Sequence, residues 1–179
     1  LLDRNVLMIG AGGIGEAIAE RLAPFGVALT RVGTRARNDH RGPVHGVDEL
    51  PELLPKADIV VLITPLNDAT HHLVDKDFLA RLPDGALVVN VARGPVVDTE
   101  ALLNEVQSGR LRAALDVVDP EPLPADHPLW TAPGVFLTPH IGGRSEALKP
   151  RLARFLREQV RRIAQGEPLQ NLVHPGRNS

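Results

Sequence analysis

Val6–Leu22, VLMIGAGGIGEAIAERL, is the stretch whose reading decides the fold. Val6, Leu7, Met8 and Ile9 form a short apolar run, the pattern of a strand buried on both faces of a parallel sheet. Gly10, Gly12 and Gly15 then spell G-x-G-x-x-G. The first glycine lets the chain turn sharply, the second lets backbone approach a pyrophosphate, and the third lets a helix pack close to the strand. Ile14, Ala17, Ile18 and Leu22 follow at helical spacing, with Glu16, Glu20 and Arg21 on other faces. The free N–H groups of that helix's first turn favour an anion. Between a strand and a helix, a glycine pattern that is weak on its own becomes a specific nucleotide-binding signal.

Composition narrows the surroundings of that site. The chain has 179 residues, enough for a full-sized core, and a net charge of −2 with a pI near 6.4. So balanced a charge gives no reason to expect nucleic acid or an acidic lipid surface as partner. Cysteine is absent, which excludes disulfides, thiolate catalysis and cysteine metal sites. No apolar run is long enough for a membrane span, and no signal-peptide pattern opens the chain, so a cytoplasmic protein is expected. Leu1–Asn5 leads at once into the first strand, which suggests a domain cut from a longer chain.

Outward from the glycine turn, Pro24-Phe25-Gly26 stops the first helix and Val27–Val32 reads as a second strand. Gly33–Gly46 is polar, with five arginines and histidines from Arg35 to His45, and reads as a surface loop. Asp48–Leu54 suits a short helix capped by Asp48. Ala57–Ile63 contains a third strand, Leu87–Val91 is a fourth, Arg112–Val118 a fifth and Val135–Leu137 a short sixth. Helices are expected at Asp75–Leu82 and at Asp98–Ser108, the latter with Asp98 as cap and Gly109 as stop. The proline-rich Asp119–Pro133 reads as a loop. Ser145–Gln165 reads as a long amphipathic helix that Pro150 should kink or delay. The alternation predicts an α/β, doubly wound, mainly parallel sheet of Rossmann type. Its domain spans 1–143, with a C-terminal helix and tail at 144–179.

In such a sheet a ligand lies beyond the carboxyl ends of the strands. The polar residues there are Thr34, Arg35 and Arg37 after the second strand, Thr64 after the third and Arg93 after the fourth. Asp116, Asp119 and Glu121 follow the fifth, and His140 the sixth. An arginine, a carboxylate and a histidine beside a nucleotide suit reduction of a 2-oxo acid. Arginine can hold a carboxylate with two parallel hydrogen bonds. Histidine can pass a proton to the substrate oxygen, and a carboxylate on its other nitrogen fixes its tautomer. His71 and His72 invite a metal reading, but adjacent side chains diverge on a regular element and no ligand spacing accompanies them. No metal is expected.

At these residues the chain resembles the cofactor-binding domain of the D-isomer-specific 2-hydroxyacid dehydrogenases, and most nearly their glyoxylate/hydroxypyruvate reductase branch. The matching segments are IGAGGIGEAIAERLAPFG, ADIVVLITPLNDATHHLV, ALVVNVARGPVVDTEALLNEVQSGRLRAALDVVDPEPLP and HPLW…PGVFLTPHIGG, in the family's order. The resemblance implies that Arg93 binds the substrate carboxylate, that His140 is the acid–base and that Glu121 is its partner. It places Asp116 at the nicotinamide amide and Thr64, Pro65 and Leu66 at the adenosine. Gly10, Gly12, Gly13, Ile14, Gly15, Thr34, Arg35, Arg37, Thr70, Val91, Ala92, Arg93, His140, Gly142 and Gly143 complete the expected cofactor contacts. It further implies a homodimer, with Asp119–Trp130 as a contributor.

Two departures qualify the resemblance. The family's N-terminal substrate-domain segment does not precede Val6, so a nucleotide-binding fragment without turnover is one alternative reading. A dinucleotide-sensing corepressor of the same fold is another. Second, NAD-using members end the second strand with an acid, whereas here Gly33-Thr34-Arg35-Ala36-Arg37 stands there and the first acid is Asp39. A hydroxyl and two cations suit a 2′-phosphate, so NADP(H) is expected to be preferred over NAD(H).

Overall fold

β1 (Asn5–Ile9) lies inside an eight-stranded sheet, where each of its flanking strands is parallel to it. A computed structural model describes residues 1–172 of the chain; the remainder of the 144–179 segment lies outside the described residues. Alternate residues of β1 feed two cores. Leu7 and Ile9 join the large cluster on one face of the sheet, and Val6 and Met8 join a smaller cluster with Ala19 on the other. All four are 2% exposed or less, as an apolar run buried on both faces requires.

The chain then builds α1 (Gly13–Leu22), β2 (Ala28–Gly33), β3 (Arg37–Asp39), β4 (Gly42–Gly46), α2 (Leu50–Leu53), β5 (Ile59–Leu62), α3 (Lys76–Ala80), β6 (Leu87–Asn90), α4 (Thr99–Gln107), β7 (Arg112–Leu115), β8 (Val135–Leu137) and α5 (Leu148–Gln165). The sheet order is β3-β4-β2-β1-β5-β6-β7-β8, parallel except for β3 against β4. Asp75 and Asp98 cap α3 and α4, their carboxylates accepting from the N–H groups of Phe78 (2.8 Å) and Ala101 (3.0 Å). Gly109, at φ +75°, ends the turn after α4. Helix α5 starts at Leu148, so Pro150 falls in its first turn, where the missing N–H costs little, and Gly166 (φ +67°) stops it.

Three expectations need correction. Gly33–Gly46 is not a loop but carries the hairpin β3–β4, and β4 joins β2 through Val32↔His45 and Gly33↔Gly46. Polarity hid it, because β3 holds no apolar residue and is held by an ion pair to the buried Arg31, with Val44 of β4 the buried apolar side chain of the hairpin. The segment expected as a helix capped by Asp48 is instead two 3-10 turns around α2. Glu49 does the capping: its carboxylate accepts from the Gly46 N–H (2.8 Å) and pairs with His45 Nδ1 (2.7 Å). Both contacts hold the Glu49 carboxyl below its ordinary pKa, the His45 bond most. Finally, β7 ends at Leu115 rather than Val118.

The chain divides into two compact units, Leu1–His140 and Ile141–Ser179. In the second, the C-terminal end of α5 carries an ion-pair network. Glu158 binds Arg161 (2.8 Å) and Arg162 (3.0 Å), and Arg161 also reaches Glu167 (3.0 Å). Arg161 above all pulls the Glu158 carboxyl down to about 2. Among the described residues, no helix is long and apolar enough to cross a membrane.

Candidate functional site

Because β1, β2, β5, β6, β7 and β8 run parallel, their carboxyl ends share one edge of the sheet. Gly10 leaves β1 at φ +121°, and a Cβ there would stand 2.5 Å from the Ile63 carbonyl oxygen. Only glycine fits both constraints. At Gly15 a Cβ would collide with the Gly10 carbonyl, so the close docking of α1 onto the turn also depends on glycine. Above Gly12 and Gly13 a Cβ would meet nothing within 4 Å. No side chain caps α1 at Gly12. Open space over uncapped helix N–H groups is what a pyrophosphate needs, so these residues fit a dinucleotide.

The next strand ends bring polar groups to the same edge. Thr34 and Arg35 are exposed after β2. Arg37 instead folds back, and its Nη2 donates to the Ala11 carbonyl within the glycine turn (3.2 Å). After β5, the Thr70 hydroxyl donates to the Pro65 carbonyl (2.7 Å) and accepts from the Asn67 N–H (2.8 Å), which fixes the loop carrying Thr64, Pro65 and Leu66. Ile14 stands 66% exposed at the first turn of α1.

After β6, the buried Asn90 shapes the loop that carries Arg93. Its amide donates to the Arg93 carbonyl (3.0 Å) and accepts from the Ala92 N–H (3.0 Å). The Arg93 guanidinium donates to the Ala92 carbonyl (2.6 Å), and its side chain lies at the surface beside Val91. After β7, the Asp116 carboxylate accepts from the Thr138 hydroxyl across to β8 (2.5 Å). His140 follows at φ +53°, with its N–H on the Thr138 carbonyl (3.0 Å). Its Nδ1 meets Glu121 Oε1 at 2.6 Å, with side-chain exposures of 46% and 42%. With Nδ1 engaged, Nε2 is the nitrogen left to exchange a proton with a ligand.

The structure therefore pairs His140 with Glu121, and both lie at the strand edge that carries Arg93, Asp116 and the glycine turn. Gly142 and Gly143 belong to the second unit. Sequence reading missed Asn90, Thr138 and the pair Arg31–Asp39. Asn90 carried a signal: an amide ending a strand whose neighbours are all valines. Asp39, the first acid after β2, is occupied by the Arg31 fork (2.8 and 2.9 Å), whose hydrogen bonds hold its carboxyl down to about 2. His71 and His72 do not diverge. His72 sits at φ +49° in a loop and the two rings stack with centroids 4.1 Å apart. Among the described residues no group of three or more potential metal ligands forms.

Comparison with known proteins gives the family of the chain. Residues 1–142 match the family described as D-isomer specific 2-hydroxyacid dehydrogenase, NAD binding domain. A glyoxylate reductase of Thermofilum pendens is 36% identical over 97% of this chain and 52% of its own length. The chloroplastic/mitochondrial formate dehydrogenase of Arabidopsis thaliana is 33% identical over 97% of this chain and 47% of its own. A D-isomer specific 2-hydroxyacid dehydrogenase of Xanthobacter autotrophicus Py2, solved with NADPH and MES, superposes with a TM-score of 0.86 at 40% identity, covering 98% of this chain and 73% of that one. The chain spans about half the length of the curated relatives it matches.

Proposed function

Since the chain belongs to the D-isomer specific 2-hydroxyacid dehydrogenase family, as its NAD binding domain, we propose that its protein interconverts small 2-oxo and 2-hydroxy acids. The nicotinamide, when bound, supplies or accepts the hydride. Gly12, Gly13 and the start of α1 would hold the pyrophosphate, and Asp116 would orient the carboxamide. Arg93 grips the substrate carboxylate in a fork. His140 Nε2 would give its proton to the carbonyl oxygen of the substrate as it is reduced, leaving a 2-hydroxy acid and a neutral ring. Glu121 holds Nδ1–H and so keeps the ring turned toward the substrate.

The observation that carries this reading is the 2.6 Å contact between His140 and Glu121 at the strand edge. It also favours one group of relatives over another. Oxidising formate to carbon dioxide moves a hydride and no oxygen-bound proton, so it has no use for an oriented acid–base pair. Reducing glyoxylate or hydroxypyruvate needs one. We place the substrate in that glyoxylate-like class, with D-configuration in the product. The test is a panel of 2-oxo acids and formate given to the whole protein with each cofactor. Turnover of formate, or of none of the oxo acids, overturns the reading.

The finer assignments follow. NADP(H) is preferred over NAD(H), because the end of β2 offers a hydroxyl and cations and its first acid is already paired. The fold-back of Arg37 makes it a better reader of a 2′-phosphate than the exposed Arg35. The working form is a cytoplasmic homodimer in which Asp119–Trp130 contributes, with Trp130 presenting 53% of its surface. Sedimentation at several concentrations tests it, and a monomer throughout overturns it. The dinucleotide-binding domain is residues 1–143, followed by the segment 144–179.

A further inference from the structure

The hairpin β3–β4 that delivers Arg37 is too small to hold its own position. β3 has three residues and pairs only with β4, through Arg37↔Val44, Asn38↔Pro43 and Asp39↔Gly42. Pro43 has no N–H to give. β4 in turn meets β2 over two residue pairs. A two-stranded ribbon of this length is marginal without further anchoring. The anchoring comes from Arg31, 5% exposed in β2. Its Nη1 and Nη2 fork onto Asp39 Oδ2 (2.9 Å) and Oδ1 (2.8 Å), and Nη2 also reaches the carbonyls of Gly42 (3.0 Å) and Pro43 (3.3 Å). At the hairpin turn Asp39 accepts from the Arg41 N–H (2.8 Å), and Arg41 Nη2 binds Glu20 Oε1 of α1 (2.8 Å).

β4 lies between β2 and β3, and their side chains meet across it. Positions 31 and 33 lie on one face of β2, and positions 37 and 39 on one face of β3. Asp39 lies over Arg31, and Arg37 lies over Gly33, where a Cβ would stand 2.6 Å from the Arg37 guanidinium. The missing side chain at Gly33 is the seat of Arg37. One of the guanidinium donors is spent on the Ala11 carbonyl, and the rest remain for a ligand in the turn.

We infer that the Arg31–Asp39 ion pair is a positioning device for cofactor choice: it locks β3 in register so that Arg37 faces the 2′-phosphate of NADPH. This rests on the reading of Arg37 as the phosphate contact. The donors of Arg31 and the carboxylate of Asp39 are taken up within the hairpin, so the pair acts through Arg37. An ion pair that merely stabilised the fold would affect both cofactors alike. A positioning pair affects only the one that Arg37 reads.

Calorimetric titration of NADPH and of NADH into the wild-type chain, Arg37→Ala, Asp39→Asn and the double variant decides the matter. Arg37→Ala is expected to weaken NADPH by about 10–100-fold, the scale of hydrogen bonds between charged groups, and to leave NADH as it was. Asp39→Asn, which keeps the shape and halves the fork, is expected to weaken NADPH by roughly 5–20-fold, again sparing NADH, and to add nothing in the Arg37→Ala background. If Arg37→Ala leaves NADPH affinity intact, the reading of Arg37 falls. If Arg37→Ala weakens NADPH while Asp39→Asn does not, weakens both cofactors equally, or adds fully in the double variant, Arg37 stands and the positioning role falls. Should Asp39→Asn fail to fold, Arg31→Lys, which keeps the charge and loses the fork, takes its place with the same expected outcomes.

Discussion

His140 holds its backbone at φ +53°, a region where a side chain with a Cβ is strained, by roughly 1–2 kcal/mol. The strain is offset by the hydrogen bond from its N–H to Thr138 and by the contact with Glu121. Replacement separates the two effects. His140→Ala and His140→Gly should each reduce kcat by about 10²–10⁴-fold, the loss expected for an acid–base group. In chemical denaturation, however, His140→Gly should be the more stable of the two by about 1 kcal/mol, because glycine accepts a positive φ. Equal stabilities would show that the backbone there is not strained. Glu121→Gln should lower kcat with KM nearly unchanged, since an amide can hold the ring in the wrong tautomer and does not bind substrate. Arg93→Lys should raise KM and lower kcat together, because an ammonium cannot reproduce a planar fork. Steady-state kinetics of the whole protein reads these directly.

At the scale of elements, the loops at the strand ends are held by polar groups that have no apolar substitute. Asn90 is 1% exposed and serves two backbone groups of the Arg93 loop. Asn90→Ala should cost about 1–3 kcal/mol in urea unfolding, since it strands the buried Ala92 N–H, while the Arg93 carbonyl keeps its bond from the Val96 N–H. The hairpin brace gives a pH signature of definite sign. The Arg31 bonds hold the Asp39 carboxyl down to about 2 in the folded chain, below its ordinary unfolded value of about 4. Its contribution is therefore complete above about pH 4 and is lost as pH falls through about 2. Asp39→Asn should be less stable than wild type at neutral pH, and the gap should close on acidification across that window. A gap that does not change with pH would show that the charge is not what matters. The same elements mark what could be read in advance. The central strands were legible because each is a run of valine, leucine and isoleucine, and α3 and α4 because an aspartate precedes each. The hairpin was not legible: β3 holds no apolar residue, and its register depends on a charge buried in the neighbouring strand. Arg93, Glu121 and His140 could be named through the family resemblance and the strand-end rule. That His140 and Glu121 touch could not be derived from spacing, since the proline-rich loop between β7 and β8 has no periodicity to read. Asp39, the first acid after the second strand, belongs to the hairpin, where it takes the Arg31 fork.

For the molecule as a whole, the geometry separates binding from turnover. The glycine turn, α1 and the strand ends proposed to face a dinucleotide lie within Leu1–His140. Binding of NADPH should therefore be a property of the 179-residue chain on its own. Hydride transfer demands more: reacting atoms held in near-attack geometry and water excluded from the charged groups around them. In this chain Arg93 is exposed, and His140 and Glu121 are 46% and 42% exposed, so water reaches the acid–base pair freely. The curated relatives are about twice as long as the chain, so they have further residues with which to cover such an edge. We expect the 179-residue chain to bind NADPH in calorimetry yet to reduce glyoxylate at less than about a hundredth of the rate of the whole protein, the order of loss that misplacing the reacting groups by about 1 Å produces. Parallel measurements of NADPH affinity and glyoxylate-dependent NADPH oxidation check this. Comparable rates in the two forms would mean that the exposed edge already suffices for catalysis, and that Arg93, Glu121 and His140 need nothing beyond this chain to complete the reaction.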